Sequence, residues 1–317
     1  MIENNVRIRL VETAGRPCAE ALERSTRLMR KAGFSVLHDP VAEHPDYPLY
    51  AAADAVRAEN LTRALTETVS DVVVAARGGY GSSTLLKSLD WDAILSSKPK
   101  LLVGFSDVSA IHCALLTRAG RVGLHGPMPG SALFCRPEDT STPLTELLAT
   151  DFPWSSQLSL TARKPLSNAL SGWLFGGNLA VLSGLIGTPW FPPDLSGAIV
   201  FLEDVGENGG RLGRYFDQWV DSGKSQGIRA LVLGTFTDAG KGAGGLRDNI
   251  VAEIERRASC PVFVTDQIGH CPPNLPIPIG VSASIEPTAD EQTGTLRWQL
   301  QTLSADPAFS NTMAEHV

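Results

Sequence analysis

The residues Val72-Val73-Val74-Ala75-Ala76 form an unbroken apolar run that leads straight into Arg77-Gly78-Gly79-Tyr80-Gly81-Ser82. A run with no polar face to offer water suits a strand buried on both sides, and such strands belong to parallel sheets covered by helices. Leu101-Leu102-Val103 and Ala198 to Leu202 have the same character. Helical patterns alternate with these strands. Val6 to Val11 reads as a strand, Pro17 to Gly33 as a helix closed by a glycine cap, and Phe34 to Leu37 as a short strand. A helix from about Asp54 to Val69 then precedes the Val72 run, and Val108, Ile111 and Leu115 line one face of another helix before a strand at Val122 to Leu124. This βαβ order predicts an α/β fold whose first half is an open, mostly parallel sheet with flanking helices.

At 317 residues the chain is about twice the usual domain length, which predicts two domains. The text between Pro127 and Ser171 is rich in Pro, Ser and Thr, including Pro137 to Pro143 and Pro153 to Leu160. It marks a junction over residues 131–170, with an N-terminal α/β domain at 1–130 and a second, mixed α/β domain at 171–317. In that second part we expect a Gly-rich turn and helix (Gly176 to Ile186), strands at Ala198 to Leu202, Ala230 to Phe236 and Pro261 to Thr265, and a helix at Leu246 to Ala258. Leu212, Tyr215, Phe216, Trp219 and Val220 share one helical face, while Leu296, Trp298 and Leu300 alternate with polar residues as in a half-buried strand.

Hydrophobic residues make up 43% and charged residues 19%, a composition that excludes disordered, collagen-like and coiled-coil folds. A net charge of -7, and no run of basic residues, exclude nucleic acid as a partner. An acid near the N-terminus (Met1-Ile2-Glu3) stands where a signal peptide needs basic residues, and no apolar run approaches the ~18 residues of a spanning helix. The expectation is a cytoplasmic protein with no membrane partner. The cysteines Cys18, Cys113, Cys135, Cys260 and Cys271 are odd in number and lack C-x-x-C spacing, so reduced and mostly buried thiols are expected. Neither H-E-x-x-H nor a Cys/His cluster is present, and no metal or other cofactor is expected. Gly78-Gly79-Tyr80-Gly81 lacks dinucleotide spacing, and Gly223-Lys224-Ser225 lacks the first P-loop glycine.

The passage with the most chemistry is Leu101 to Gly120, where a buried strand turns at Ser106 directly into a helix. Such a corner exposes a hydroxyl at the carboxyl edge of a sheet, with helix N–H groups behind it for a developing oxyanion. Ser106 is equally readable as a helix N-cap, and Gly104-Phe105-Ser106-Asp107 is not the G-x-S-x-G elbow. A nucleophilic serine needs a base and an acid to orient it. The histidines on offer are His38, His44, His112, His125, His270 and His316, of which His270 follows a buried strand on a loop. Glu203, where the Ala198 run meets its loop, is the candidate acid, with Asp204 and Glu207 as competitors. Asp107 points away from any base that Ser106 could use, so its N–H matters more than its carboxylate.

These passages resemble the LD-carboxypeptidase family, serine peptidases that act on murein tetrapeptide during cell-wall recycling. The resemblance runs in order through Arg77 to Ser82, Gly104 to Asp107, Gly126-Pro127-Met128, Gly176-Gly177-Asn178-Leu179, Gly187-Thr188-Pro189, Phe201 to Glu207 and Gly269-His270. It implies Ser106 as nucleophile, His270 as general base and Glu203 as the residue orienting it. It further implies an oxyanion hole from the N–H groups of Asp107 and the Gly78-Gly79 turn, murein tetrapeptide as substrate, a cleft between two domains, and a homodimer. Arg77 and Asn178 are candidate substrate contacts, with a structural ion pair the other reading of Arg77. Alternatives are a self-immunity peptidase cleaving a peptidyl-nucleotide antibiotic, or a non-catalytic peptide-binding protein. Val11 to Gly15 and Arg211 to Arg214 depart from the family's usual text, which bears on substrate range.

Overall fold

In a computed structural model, which describes residues 6–41, 49–131, 134, 142–150, 152–237, 246–307 and 309, the apolar runs become the middle of two sheets. The first unit runs β1 (Arg7–Val11), α1 (Ala19–Lys31), β2 (Ser35–His38), α2 (Asp54–Thr66), β3 (Val72–Ala75), α3 (Ser82–Leu85), α4 (Trp91–Ser96), β4 (Leu101–Gly104), α5 (Ser109–Ala119) and β5 (Gly123–His125). Then come α6 (Thr142–Ala149), β6 (Trp154–Ala162), β7 (Leu170–Asn178), α7 (Leu179–Ser183), β8 (Ala198–Val205), α8 (Gly209–Asp221), β9 (Ala230–Thr237), α9 (Leu246–Arg257) and β10 (Val262–Val264). β11 (Ile277–Ile279), β12 (Ser282–Pro287) and β13 (Thr293–Leu300) complete the order.

The expected α/β architecture is present. β2, β1, β3, β4 and β5 pair in parallel, and every residue of β3 and β4 is buried, as their uninterrupted apolar text requires. The sheet order β11-β5-β4-β3-β1-β2 reverses direction beside β1, so the crevice at the carboxyl ends of β1 and β3 is where this topology seats ligands. The later strands close a barrel in the order β10-β6-β13-β12-β7-β8-β9, with β7 to β10 parallel and the rest antiparallel. Helix α8 buries Leu212, Phe216 and Trp219 at helical spacing, and Asn208 caps it by accepting the Arg211 N–H at 3.0 Å. Burying each such side chain stabilises the fold by ~1.5–3 kcal/mol.

Three local expectations are revised. Residues 154–162, inside the stretch read as junction, form β6, which pairs along its length with β13. Its period-2 signal, with Trp154, Leu158, Leu160 and Ala162 buried, is masked by the Ser, Thr and Gln between them. Gly176 and Gly177 belong to β7 and not to a turn; a Cβ on Gly176 would lie 2.0 Å from the Phe201 carbonyl oxygen, so glycine there permits close strand approach. Finally, of the described cysteines only Cys113 is fully buried; Cys18 is exposed, Cys260 and Cys271 are half-buried, and Cys135 lies outside the described residues.

The two units are joined at several points. β11, which follows the barrel strand β10, adds antiparallel to β5, and the N–H of Val122 donates to the Leu303 carbonyl at 3.1 Å. The N–H of Asn178 donates to Ser109 Oγ at 3.0 Å, tying the start of α5 to β7.

At the carboxyl edge of the first sheet, the guanidinium of Arg57 is fully buried. It donates to the carbonyls of Ala52 (2.9 Å), Gly81 (2.8 Å) and Thr13, and pairs with Asp54. These bonds gather three loops around the turn that follows β3. Replacing it would strand several buried carbonyls, so Arg57→Met is expected to destabilise the protein by about 3–5 kcal/mol in urea titration at neutral pH. An unmoved midpoint would show that the loops hold themselves.

Candidate active site

Ser106 is separated from β4 by Phe105 alone and takes φ of 60°, the left-handed region that a non-glycine residue enters at a cost of about 1–2 kcal/mol. Phe105, and not Ser106, occupies the cap position of the helical turn that leads into α5, so the N-cap reading is not the one realised. The corner is clamped from both sides. Phe105 is buried, and Asp107 is buried with its Oδ2 accepting the Ser82 N–H at 2.7 Å. Burial raises the Asp107 carboxyl above the usual range, which the Ser82 bond opposes. The carboxylate therefore fastens the glycine turn to the serine corner, a role that the sequence did not disclose.

Gly78 lies against Ser106: a Cβ there would be 3.0 Å from Ser106 Cβ and 3.1 Å from its Oγ. Only a residue without a side chain lets this turn approach the hydroxyl so closely. The Gly78 carbonyl in turn accepts the Gly15 N–H at 3.0 Å, so the unusual Val11 to Gly15 segment touches the turn beside Ser106. Arg77 is exposed, and its Nη1 donates to the Arg16 carbonyl at 2.6 Å.

Glu203 is fully buried on β8, opposite a bulge in β9 where the pairing slips between Leu202 and Asp204. Its Oε2 lies 2.7 Å from Nδ1 of His270. Burial pushes the carboxyl up, but the imidazole's charge and hydrogen bond outweigh it, and the net direction is below the ordinary range. An unpaired carboxylate in this position would cost several kcal/mol, so the pair holds together by necessity. The His270 loop is fixed by the Gly269 N–H, which donates to Oδ1 of buried Asn274 at 3.2 Å. The His270 ring rests on Phe105, the residue before Ser106, at 4.7 Å between centroids. The Glu203–His270 pair thus lies against Phe105, the residue before Ser106, where the carboxyl end of β4 meets the barrel.

None of the other described histidines is paired with a carboxylate that also adjoins the serine corner. His38 pairs with Glu12 at 2.9 Å, His112 lies buried with Nε2 3.2 Å from the Leu102 carbonyl, and His125 is buried; His44 and His316 lie outside the described residues. The rival acids are also committed. Asp204 accepts N–H groups of Ala180 and Val205 and the Asn178 amide, while Glu207 meets Arg211 and Tyr215. Asn178 caps α7 through Oδ1 and is almost fully buried, so both ends of its side chain are used within the protein.

Residues 8–126 match the LD-carboxypeptidase N-terminal domain, and residues 171–285 match the LD-carboxypeptidase C-terminal domain. The chain belongs to this family and is a serine-type LD-carboxypeptidase. It is 35% identical over 84% of its length to a Streptomyces coelicolor protein whose name places it provisionally among the carboxypeptidases, covering 87% of that protein. It is 29% identical to the murein tetrapeptide carboxypeptidase of Pseudomonas aeruginosa, over 88% of this chain and 93% of the relative. The crystal structure of muramoyltetrapeptide carboxypeptidase from Oxalobacter formigenes superposes with a TM-score of 0.80 at 29% identity, covering 92% of this chain and 98% of the other. Among the described residues no helix is long and apolar enough to cross a membrane.

The buried histidines set an acid limit on stability. Burial, chiefly, depresses His112 to about 3 and His125 to about 4, whereas both titrate near 6.5 when unfolded. Between those values the unfolded chain binds protons that the native chain refuses, so stability falls as pH falls, by about 2 kcal/mol per histidine at pH 5. Asp204, raised to about 6 by burial and by Glu203, acts oppositely and returns about 1 kcal/mol over the same interval. Urea titrations at pH 7 and pH 5 should show a net loss of about 2–3 kcal/mol. A gain on acidification would contradict the burial of these two rings as neutral groups.

Proposed function

We propose that the chain releases terminal D-alanine from murein tetrapeptide, cutting the amide after the L-centre of meso-diaminopimelate or lysine, in the cytoplasm and as a homodimer. Ser106 is the nucleophile, His270 the general base and Glu203 the group that orients it. The observation that carries the reading is the 2.7 Å bond between His270 Nδ1 and Glu203 Oε2, beside a serine held in the left-handed conformation. With Nδ1–H donated to the carboxylate, Nε2 is left as the basic nitrogen.

His270 Nε2 takes the Ser106 proton as Oγ attacks the carbonyl carbon. The oxyanion that forms is received by the N–H of Asp107 and by the Gly78-Gly79 turn. His270 then gives the proton to the departing D-alanine nitrogen, leaving an ester on Ser106, and deprotonates a water that hydrolyses the ester. Glu203 stays ionised throughout and stabilises the imidazolium in each half-reaction. Arg77, exposed beside this turn, is the side chain we assign to the substrate's terminal carboxylate; Asn178 acts from behind, through Asp204 and the end of β8.

D-alanine release from purified murein tetrapeptide tests the reading. Ser106→Ala should reduce kcat by at least about 10³-fold, and Glu203→Gln by about 10²–10⁴-fold. Glu203→Gln should still fold. Equal release by wild type and Ser106→Ala would remove Ser106 from the mechanism; hydrolysis of a peptidyl-nucleotide in place of the tetrapeptide would move the protein to a self-immunity role.

A further inference from the structure

Three glycines surround one aromatic residue in Gly78-Gly79-Tyr80-Gly81, and the proposed reaction gives that residue no task. The turn follows β3, at the crevice where this topology seats ligands, and its first glycine packs against Ser106. Tyr80 stands two residues from that contact and is nevertheless 50% exposed. A large aromatic side chain kept half in water beside a reacting hydroxyl marks a surface that something else covers.

The ring is held in place. It stacks on Tyr50, with 5.6 Å between centroids and 27° between planes, so one face is covered and the other is open. Tyr50 is fixed in turn. The guanidinium carbon of buried Arg57 lies 4.8 Å from its ring centroid, and a Cβ on Gly81 would come within 2.7 Å of its Cδ1. Arg57 also receives the Gly81 carbonyl at 2.8 Å, so the same buried cation secures the turn and the aromatic pair. Leu49, next to Tyr50, is 64% exposed and adds apolar surface on this segment. Its carbonyl oxygen lies 3.7 Å from where a Cβ on Gly15 would stand, beside the turn that touches Ser106. A ring already immobilised loses little freedom when a ligand settles on it.

We infer that Tyr80 is a specificity-determining residue: the open face of its ring is the platform for the hydrocarbon stem of the dibasic residue on the acyl side of the cleaved amide. This rests on the tetrapeptide reading above and gives it a subsite. Arg77 enters the Gly78-Gly79 turn and Tyr80 leaves it, and their side chains go to different neighbours, the Arg16 carbonyl and Tyr50. With the substrate's terminal carboxylate at Arg77 and the scissile carbonyl at the turn, the acyl part of the peptide continues towards Tyr80. The side chain adjoining that carbonyl is a straight hydrocarbon with a charged end. Its methylenes match an aromatic face while the charge stays in water. A D-alanine methyl would cover only a small part of a ring that buries ~150–250 Å².

Tyr80→Ala removes the platform and Tyr80→Phe keeps it. D-alanine release is compared for tetrapeptides with lysine or alanine at the third position. For the lysine peptide, Tyr80→Ala should raise KM about tenfold while kcat changes less than about threefold, the pattern of lost uniform binding. For the alanine peptide, which has no stem, the same substitution should raise KM less than about twofold. Tyr80→Phe should recover most of the affinity for the lysine peptide, because the ring and not the hydroxyl is used. An equal rise on both peptides would make Tyr80 a mere support of the turn and overturn the inference, as would an unmoved KM for the lysine peptide. If wild type releases no D-alanine the substrate reading fails, and calorimetric titration of the lysine peptide into wild type and Tyr80→Ala decides the role of Tyr80. A dissociation constant about tenfold larger in the variant sustains the platform; equal binding, or none to either protein, overturns it.

Discussion

A carboxylate that water cannot reach has to be matched by the protein itself, and Glu203 is matched by His270. The bond between them runs from a strand to a loop on the far side of β9, and everything else in the site is arranged around it. Phe105 backs the imidazole, Asn274 anchors the backbone before it, and the β9 bulge opens the ladder beside Glu203. Burial and pairing act on Glu203 in opposite directions, and pairing with the imidazole prevails. Orientation of the imidazole and solvation of the carboxylate are one interaction.

The strain at Ser106 needs a frame of comparable stiffness. Two bonds supply much of it: Asp107 to the Ser82 N–H on the first unit, and Ser109 Oγ from the Asn178 N–H on the second. The residues on the C-terminal side of the serine thus face opposite ways, one holding the glycine turn and one holding the barrel. The serine corner is consequently tied by hydrogen bonds to both units.

The parallel sheet was legible because β3 and β4 are buried on both faces, and uniform burial writes itself as uniform apolarity. The elements that stayed hidden are those whose burial is conditional. β6 is half-polar and holds its place by pairing with β13 and β10, strands more than a hundred residues later. Gly176 and Gly177 read as a turn because glycine marks both turns and close approaches, and only the Phe201 carbonyl decides between them. At the site, Ser106, Glu203 and His270 could be singled out from strand ends and loops, but the packing of the Glu203–His270 pair against Phe105 could not be derived from spacing. The Asp107 clamp and the buried His125 ring carry no motif at all. Their significance is a matter of what surrounds them.

The first sheet is finished by a strand that the ribosome makes late. β11 closes the open edge of β5, and residues 303–305 clip onto the segment before it, so the edge stays unpaired until Ile279 and the chain through Ala305 have emerged. By then His270 has been synthesised as well. Until then a nascent chain carries Ser106 on an incomplete sheet whose β5 border is unpaired, and an unpaired border is a template for pairing with other chains. Translation order thereby couples the sealing of that border to the arrival of the imidazole.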